Sequence, residues 1–401
     1  MTAAGPTLEA LRRMPNAIAP DYSRFLIPHR LLLTGHSHQA WPDVAREALL
    51  AAWDDAALHA DEKWERAFAQ ADAVRAGFAR LLGCAPRELA LGASTHELVV
   101  RFLSALPLGS RRRLLTTDGE FHTLRRQLDR LGEARVAEVV KVAAEPAATL
   151  AERLADAVDD RVAAVLVSSV LFESAHIVPG LGALATACER AGAELLVDAY
   201  HHLNVVPFDL AREGLGSALV TGGGYKYCQL GEGNCFLRVP PSSTLKPVVT
   251  GWFSEFAELS ERPAGVVPFG DGPARWAGAT YDPVSHYRAA RVFQFFDERG
   301  LTPDLLRRLS QHQVGRLAER FDALSLDPRL ISRDRSVPLE ALGGFLALRA
   351  ERAAQIALVL RSLGVWTDHR GGVLRFGPAP YLSDAHLDAA IAPLIAATRG
   401  L

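Results

Sequence analysis

The sequence predicts an α/β protein: a large three-layer α/β/α domain around a mostly parallel sheet, plus a smaller α/β domain built from the C-terminus and an N-terminal arm. Three observations carry that prediction. Short aliphatic and β-branched runs alternate with longer helical stretches, the pattern of parallel strands joined by crossover helices. Hydrophobic residues make up 49% of the chain and charged ones 22%, ample for a large core and too apolar for a disordered chain. The 401 residues exceed what one core usually reaches, about 250–300, so more than one domain is expected.

Residues 1–59 read as an arm carrying a helix at Val44–Ala57. The large domain spans 60–265. It starts with a helix at Asp61–Leu82 and holds strands at Glu88–Leu91, Arg113–Thr117, Arg161–Ser168, Ala193–Asp198, Ser217–Thr221 and Asn234–Val239. Helices are expected at His96–Ala105 and Leu181–Ala191. Pro240-Pro241 and Pro247 mark a connector, and the following stretch to Pro283 is rich in Gly, Pro and aromatics. Residues 266–401 hold helices His286–Arg299 and Pro303–Ala323. A small unit follows: strand Gly343–Arg349, helix Ala353–Leu363, strand Gly372–Phe376 and helix Asp384–Arg399.

Composition excludes several function classes. Lys and Arg total 44 against 46 Asp and Glu, a net charge of −2, which gives no reason to expect a nucleic acid or an anionic membrane as partner. No apolar run approaches the roughly 20 residues that span a bilayer. Four scattered cysteines, Cys84, Cys188, Cys228 and Cys235, make neither a disulfide framework nor a metal knuckle, so no metal site is expected. The opening stretch has no long apolar segment of the signal-peptide kind. The expectation is a cytoplasmic protein with reduced thiols.

In open parallel sheets ligands bind beyond the carboxyl ends of the strands, so polar residues ending strands are the candidates. Ser94 and Thr95 precede a helix whose free N–H groups suit a phosphate, although Ser94 with Glu97 three residues on also reads as a capping box. Asp198 ends an apolar strand, with His201 and His202 close behind. Its carboxylate suits a cationic ring nitrogen or a metal, and a plain turn is the alternative. Lys226 sits between Tyr225 and Tyr227 after three glycines, where desolvation lowers an amine's pKa and lets it attack a carbonyl. A lysine snorkelling out of a turn is the competing reading. Arg375, inside an apolar strand, needs an anion: a ligand carboxylate or a structural ion pair serves equally. A phosphate cradle, an aspartate, a lysine and a late arginine, in that order, suit pyridoxal phosphate. There the lysine takes the aldehyde, the aspartate keeps the ring nitrogen protonated and the arginine holds an amino acid's carboxylate.

These segments resemble the class V branch of the fold-type-I pyridoxal-phosphate enzymes, and within it kynureninase. Tyr225-Lys226-Tyr227 matches Y-K-Y, the most specific piece, and Asp198-Ala199-Tyr200-His201 resembles D-x-A-H in its Asp and His. Ser94-Thr95-His96-Glu97-Leu98 resembles the phosphate-binding S-T-S-V-N, and Glu120-Phe121-His122-Thr123 the E-x-F-P-S/T-D region. Val167-Ser168-Ser169-Val170 resembles the strand end that places a serine near the cofactor. Gly35-His36-Ser37 and its neighbours are similar to the G-N-S-L-G-x-x-P entry segment. Gly251-Trp252-Phe253 resembles G-W-F, and Leu374-Arg375-Phe376-Gly377-Pro378 resembles L-R-x-x-P. The resemblance implies Lys226 as the Schiff-base lysine and Phe121 stacked on the ring. It implies Ser94, Thr95, Ser168, Asp198, His201 and Tyr225 around the cofactor. Arg375 and His36 would face the substrate, and Trp252 and Thr280 would reach a partner's site across a homodimer.

Departures cluster where substrate and reaction are chosen. His36 replaces the entry asparagine, Leu124 replaces the aspartate of F-P-S-D, and Gly278-Ala279-Thr280-Tyr281 is not G-T-P-P. The implied function is hydrolytic Cβ–Cγ cleavage of a kynurenine-type amino acid, with a class V aminotransferase as the alternative. A desulfurase lacks its late cysteine, since none follows Cys235. A non-catalytic pyridoxal-phosphate-binding homologue is a further possibility. A nicotinamide-dependent dehydrogenase would use Gly180, Gly182 and Ala185 with Asp198 on the ribose. That glycine run, however, stands too far from the preceding strand for the fingerprint, which occupies the βα turn itself.

Overall fold

The computed structural model describes residues 5–258 and 265–399. The N-terminal portion carries helix α1 (Leu8–Arg12), the two-residue strand β1 (Leu31–Leu32) and the long helices α2 (Val44–His59) and α3 (Lys63–Leu82). There follow β2 (Leu89–Gly92), α4 (Thr95–Ala105), β3 (Arg113–Thr117), α5 (His122–Glu133), β4 (Glu138–Val142) and α6 (Leu150–Asp156). The centre of the chain adds β5 (Val162–Ser168), α7 (Leu181–Ala191), β6 (Glu194–Asp198), β7 (Leu219–Gly223) and β8 (Cys235–Arg238).

These strands form one seven-stranded sheet in the order β2-β8-β7-β6-β5-β3-β4. Strands β3 to β7 are mutually parallel, and β8 runs antiparallel to both of its neighbours. A parallel strand covered by helices on both faces reads as an unbroken apolar run, and every residue of Val162–Ser168 is buried. The chain leaves β3 for β4 on one side, then crosses back to β5 on the other. That reversal opens a crevice at the carboxyl ends of β3 and β5, the place such sheets use for ligands.

Beyond the sheet, α8 (Val284–Glu298) packs on α2 and α3, and α9 (Pro303–Ala323) on α11 (Asp384–Ile391). Thr302 caps α9 by accepting from the Leu305 N–H, with Pro303 at its first position. The C-terminal unit holds β9 (Leu346–Arg349), α10 (Ala353–Ser362), β10 (Val365–Trp366), β11 (Asp368–Arg370), β12 (Val373–Phe376) and α12 (Leu394–Thr398). Its antiparallel sheet runs β11-β12-β9, while β1 of the N-terminal arm pairs with β10 in parallel. Fully buried Trp276, Phe78, Phe236, Phe345 and Phe376 are among the largest core side chains.

Helices Leu181–Ala191 and Pro303–Ala323 fall where the sequence places them. Two expectations are corrected, and one strand of the large sheet goes unread. The helix expected over Asp384–Arg399 is two helices, because Pro393 has no N–H to donate and its ring blocks the preceding turn. Strand Glu138–Val142 goes unread in the sequence: it is the sheet's outer edge, and its Glu138 and Lys141 are exposed. The strand expected at Ser217–Thr221 runs to Gly223. Gly222, Gly223 and Gly224 are required by close packing rather than unusual dihedrals: a Cβ on Gly223 would sit 2.5 Å from the Tyr200 hydroxyl, and one on Gly224 would overlap the Leu230 side chain. The expected boundary at 265 abuts 259–264, which lie outside the described residues. Among the described residues, no helix is long and apolar enough to cross a membrane.

Candidate active site

At the crevice lies a cavity of about 260 Å3. Strand ends β5 and β6 deliver Ser168 and Asp198 to it, paired side by side in register. The loop leaving β3 delivers Phe121, the turn leaving β7 delivers Tyr225 and Lys226, and the start of α4 delivers Ser94 and Thr95. Seven positions nominated by the sequence thus meet in one space, together with His201.

Lys226 is 4% exposed, buried beyond what an isolated ammonium tolerates. Its Nζ lies 3.0 Å from Nε2 of His201, and three aromatic rings surround it, with centroids 4.6 Å (Tyr200), 5.2 Å (Phe121) and 5.6 Å (Tyr225) away. Burial pulls its pKa down to about 7, against the opposing pull of Asp198. The amine is therefore substantially neutral at physiological pH, unlike a surface lysine. Burial and the neighbouring Lys226 push His201 well below the usual imidazole range, so that ring stays neutral.

Asp198 is buried and accepts the Tyr200 N–H at 2.9 Å. Burial raises its pKa, while that N–H and Lys226 oppose the rise. No other donor among the described residues reaches its carboxylate. A buried acceptor with spare capacity in a cavity suits a cationic N–H on a ligand. His201 supports Lys226 by its hydrogen bond and does not bond to Asp198.

Ser168 spends its hydroxyl proton on Glu120, at 2.6 Å. The Glu120 carboxylate also accepts the Thr117 hydroxyl at 2.8 Å and the Ser168 N–H at 3.2 Å. Burial lifts Glu120 to about 7, and these hydrogen bonds restrain the rise. Glu120 therefore fixes the Ser168 side chain at the cavity wall. At the opposite end, Ser94 caps α4 by accepting from the Glu97 N–H at 3.2 Å, and Glu97 accepts the Ala93 N–H at 3.1 Å. Capping and anion binding are compatible here, because a helix start has more free N–H groups than one side chain satisfies.

Arg375 and His36 do not line the cavity. The Arg375 fork donates to Asp368, with Nε to Oδ1 at 2.9 Å and Nη2 to Oδ2 at 2.6 Å, while Nη1 donates to the Phe172 carbonyl at 2.6 Å. His36 is fully buried, with Nε2 2.6 Å from the same Asp368. Burial drives His36 down to about 4, so it stays neutral. Of the two sequence readings of Arg375, the structure contains the ion pair. Trp252 and Thr280 are exposed and lie away from this cavity, so within one chain they do not join it.

Sequence reasoning missed Asp368, Glu120 as a hydrogen-bonding hub, and Tyr200 as a ring over Lys226. A signal for Asp368 was present: Gly371-Gly372 is a two-residue hairpin turn, and pairing outward from it places Asp368 opposite Arg375.

No protein-family model matches the chain. An uncharacterized aminotransferase of Bacillus subtilis is 23% identical over 351 residues, covering 86% of this chain and 88% of that protein. Isopenicillin N epimerase of Streptomyces clavuligerus is 27% identical over 343 residues, covering 79% of this chain and 81% of the relative. Kynureninase of Bacillus anthracis is 25% identical over 304 residues, covering 73% and 69%. Among solved structures, a mutant of C-DES with glycine covalently linked to its PLP cofactor superposes with a TM-score of 0.81 at 15% identity, over 94% of this chain and 98% of that one. The apo cysteine desulfurase of Thermococcus onnurineus gives 0.79 at 15% identity, over 97% and 99%. At such identities the structural likeness establishes the fold.

Proposed function

Because the chain belongs to the class V, fold-type-I pyridoxal-phosphate-dependent enzymes, we propose that it uses Lys226 as its cofactor lysine and cleaves the Cβ–Cγ bond of a kynurenine-type amino acid by hydrolysis. The observation that carries this is a desolvated lysine amine, its pKa pulled down to about 7, sharing a cavity with a buried, underused carboxylate. The donor set fits the cofactor: Lys226 for its aldehyde, Asp198 for its ring nitrogen, Phe121 for its face, and Ser94 with Thr95 and the α4 start for its phosphate. Bound there, pyridoxal phosphate supplies an electron sink for the pair left when a bond to the substrate's α-carbon breaks.

The chain's own residues do the rest. Lys226 Nζ, poised near neutrality, takes and returns protons at the reacting carbon. His201, held neutral at 3.0 Å, orients that amine without competing for its proton. Asp198, with acceptor capacity left over from the Tyr200 N–H, would hold the cofactor's ring nitrogen through its carboxylate. Phe121, Tyr200 and Tyr225 exclude water from around the amine.

A homodimer accompanies this reading. Trp252 (42% exposed) and Phe256 stand on the surface with Phe253, and Trp64, Phe68 and Tyr281 pack against that group. Such an apolar patch calls for a covering surface. Trp252 and Thr280, remote from their own cavity, would serve the partner's.

The direct test is incubation of the holoenzyme with L-kynurenine. Hydrolysis yields anthranilate and alanine in equal amounts with no keto acid present. Amino transfer is the second reading, favoured by the broad match to the Bacillus subtilis aminotransferase. It yields neither product and instead converts the bound cofactor to its pyridoxamine form, the result that overturns hydrolysis.

The depressed Lys226 pKa has its own signature. The rate at which the apoprotein captures pyridoxal phosphate is expected to rise as pH approaches about 7, where the amine loses its proton, and then to level off. A rate still climbing toward pH 10, followed by stopped-flow absorbance, would mean that the lysine is solvated.

A further inference from the structure

Glu120 is buried behind the cavity wall, and its two carboxylate oxygens are used unequally. Oε1 accepts the Thr117 hydroxyl at 2.8 Å and the Ser168 N–H at 3.2 Å, whereas Oε2 meets only the Ser168 hydroxyl, at 2.6 Å. Neither donor on Oε1 reverses. The N–H is fixed, and the Thr117 oxygen already accepts the Gly119 N–H at 3.2 Å, which commits its own proton to Glu120. When Glu120 takes up a proton, that proton therefore sits on Oε2, facing Ser168.

The direction of the Ser168 hydroxyl follows. Against the carboxylate it donates, and only its lone pairs are left for the cavity that it lines. Against the neutral acid it accepts the Glu120 O–H, and its own proton turns to the cavity. That hydroxyl has no other hydrogen-bond partner among the described residues. Ser168 and Asp198 stand side by side in register on adjacent strands, about 4.8 Å apart in such a sheet. A pyridoxal ring carries its nitrogen and its hydroxyl on one edge with a single carbon between them, so with Asp198 on the nitrogen the ring hydroxyl is the group left for Ser168.

Resting on the reading of Lys226 as the cofactor lysine, we propose that Glu120 is a positioning residue that sets the direction of the Ser168 hydroxyl and, through it, the charge on the cofactor's ring oxygen. Charged Glu120 makes Ser168 an acceptor, and the ring hydroxyl keeps its proton. Neutral Glu120 makes Ser168 a donor, and the ring oxygen is held as an anion. Burial lifts Glu120 to about 7, so the neutral setting prevails below neutrality and the charged one above it. Asp198, at the neighbouring strand end, adds to that rise. On Glu120's own loop, Asp118 is turned to the Ala144 N–H at 2.7 Å and His122 packs on Phe172, while Lys226 faces His201.

The test follows the absorbance of the reconstituted holoenzyme against pH, since an ionised ring absorbs at longer wavelength than a neutral one. Glu120→Gln keeps the shape: its carbonyl serves Thr117 and the Ser168 N–H, and its amide donates to the Ser168 hydroxyl, fixing the low-pH arrangement. The long-wavelength band is then expected to persist to higher pH, its midpoint rising by about one unit, a tenfold change in the ratio of the two forms. In a Ser168→Ala background the same substitution is expected to give no rise. Losing a nearby negative charge, by itself, favours the proton-free form and moves the midpoint down. A midpoint that stays or falls in Glu120→Gln, or one that rises equally without Ser168, overturns the inference. Wild-type protein that shows no cofactor band after reconstitution fails the reading of Lys226 itself, and the inference with it.

Discussion

Replacing Lys226 with alanine is expected to lower turnover by about 10³–10⁴-fold, the worth of a positioned proton-transfer group whose role no neighbour can assume. His201 is the nearest candidate, but burial, the largest cause of its lowered pKa and one that persists without the amine, holds its ring below the usual imidazole range. The fold should survive the change. Lys226 makes no ion pair among the described residues, and removing a desolvated amine from an aromatic box relieves a burial penalty. Steady-state rates beside a thermal melt check both halves. A variant that keeps its melting temperature and more than a tenth of its activity would remove Lys226 from the chemistry.

Asp198→Asn is the second large effect. Asparagine keeps the shape and still accepts the Tyr200 N–H, so packing is preserved and only the charge is lost. Turnover is expected to fall by about 10²–10³-fold, the scale of removing one preorganised electrostatic partner from a dry site. A linked effect identifies the cause. Asp198 raises the Lys226 pKa, so its loss must lower it further, and the midpoint of cofactor capture against pH should move below about 7. Reduced turnover with an unmoved midpoint would assign the loss to distorted geometry instead.

What the sequence made legible were the residues whose roles depend on chain position alone. A polar group ending a buried strand must face the crevice, which is why Asp198 and Lys226 could be nominated together without knowing the strand order, whereas Ser168 entered only through the family resemblance. The apolar run of Val162–Ser168 and the helix Leu181–Ala191 were equally plain. Roles set by cross-strand partners were not. Arg375 in an apolar strand requires an anion, but whether that anion is a ligand or Asp368 depends on hairpin register. Glu120 is a similar case: its three donors come from Thr117, three residues earlier, and from Ser168 on a separate strand. The edge strand Glu138–Val142 escaped because an edge needs no continuous apolar signature, whereas the break at Pro393 was there to be read.

The most direct measurement is to treat the holoenzyme with borohydride, digest it and locate the pyridoxyl group by mass spectrometry. One modified residue per chain, Lys226, is the predicted result. A label spread over Lys63, Lys141 and Lys246, with Lys226 unmodified, would contradict the account at its root.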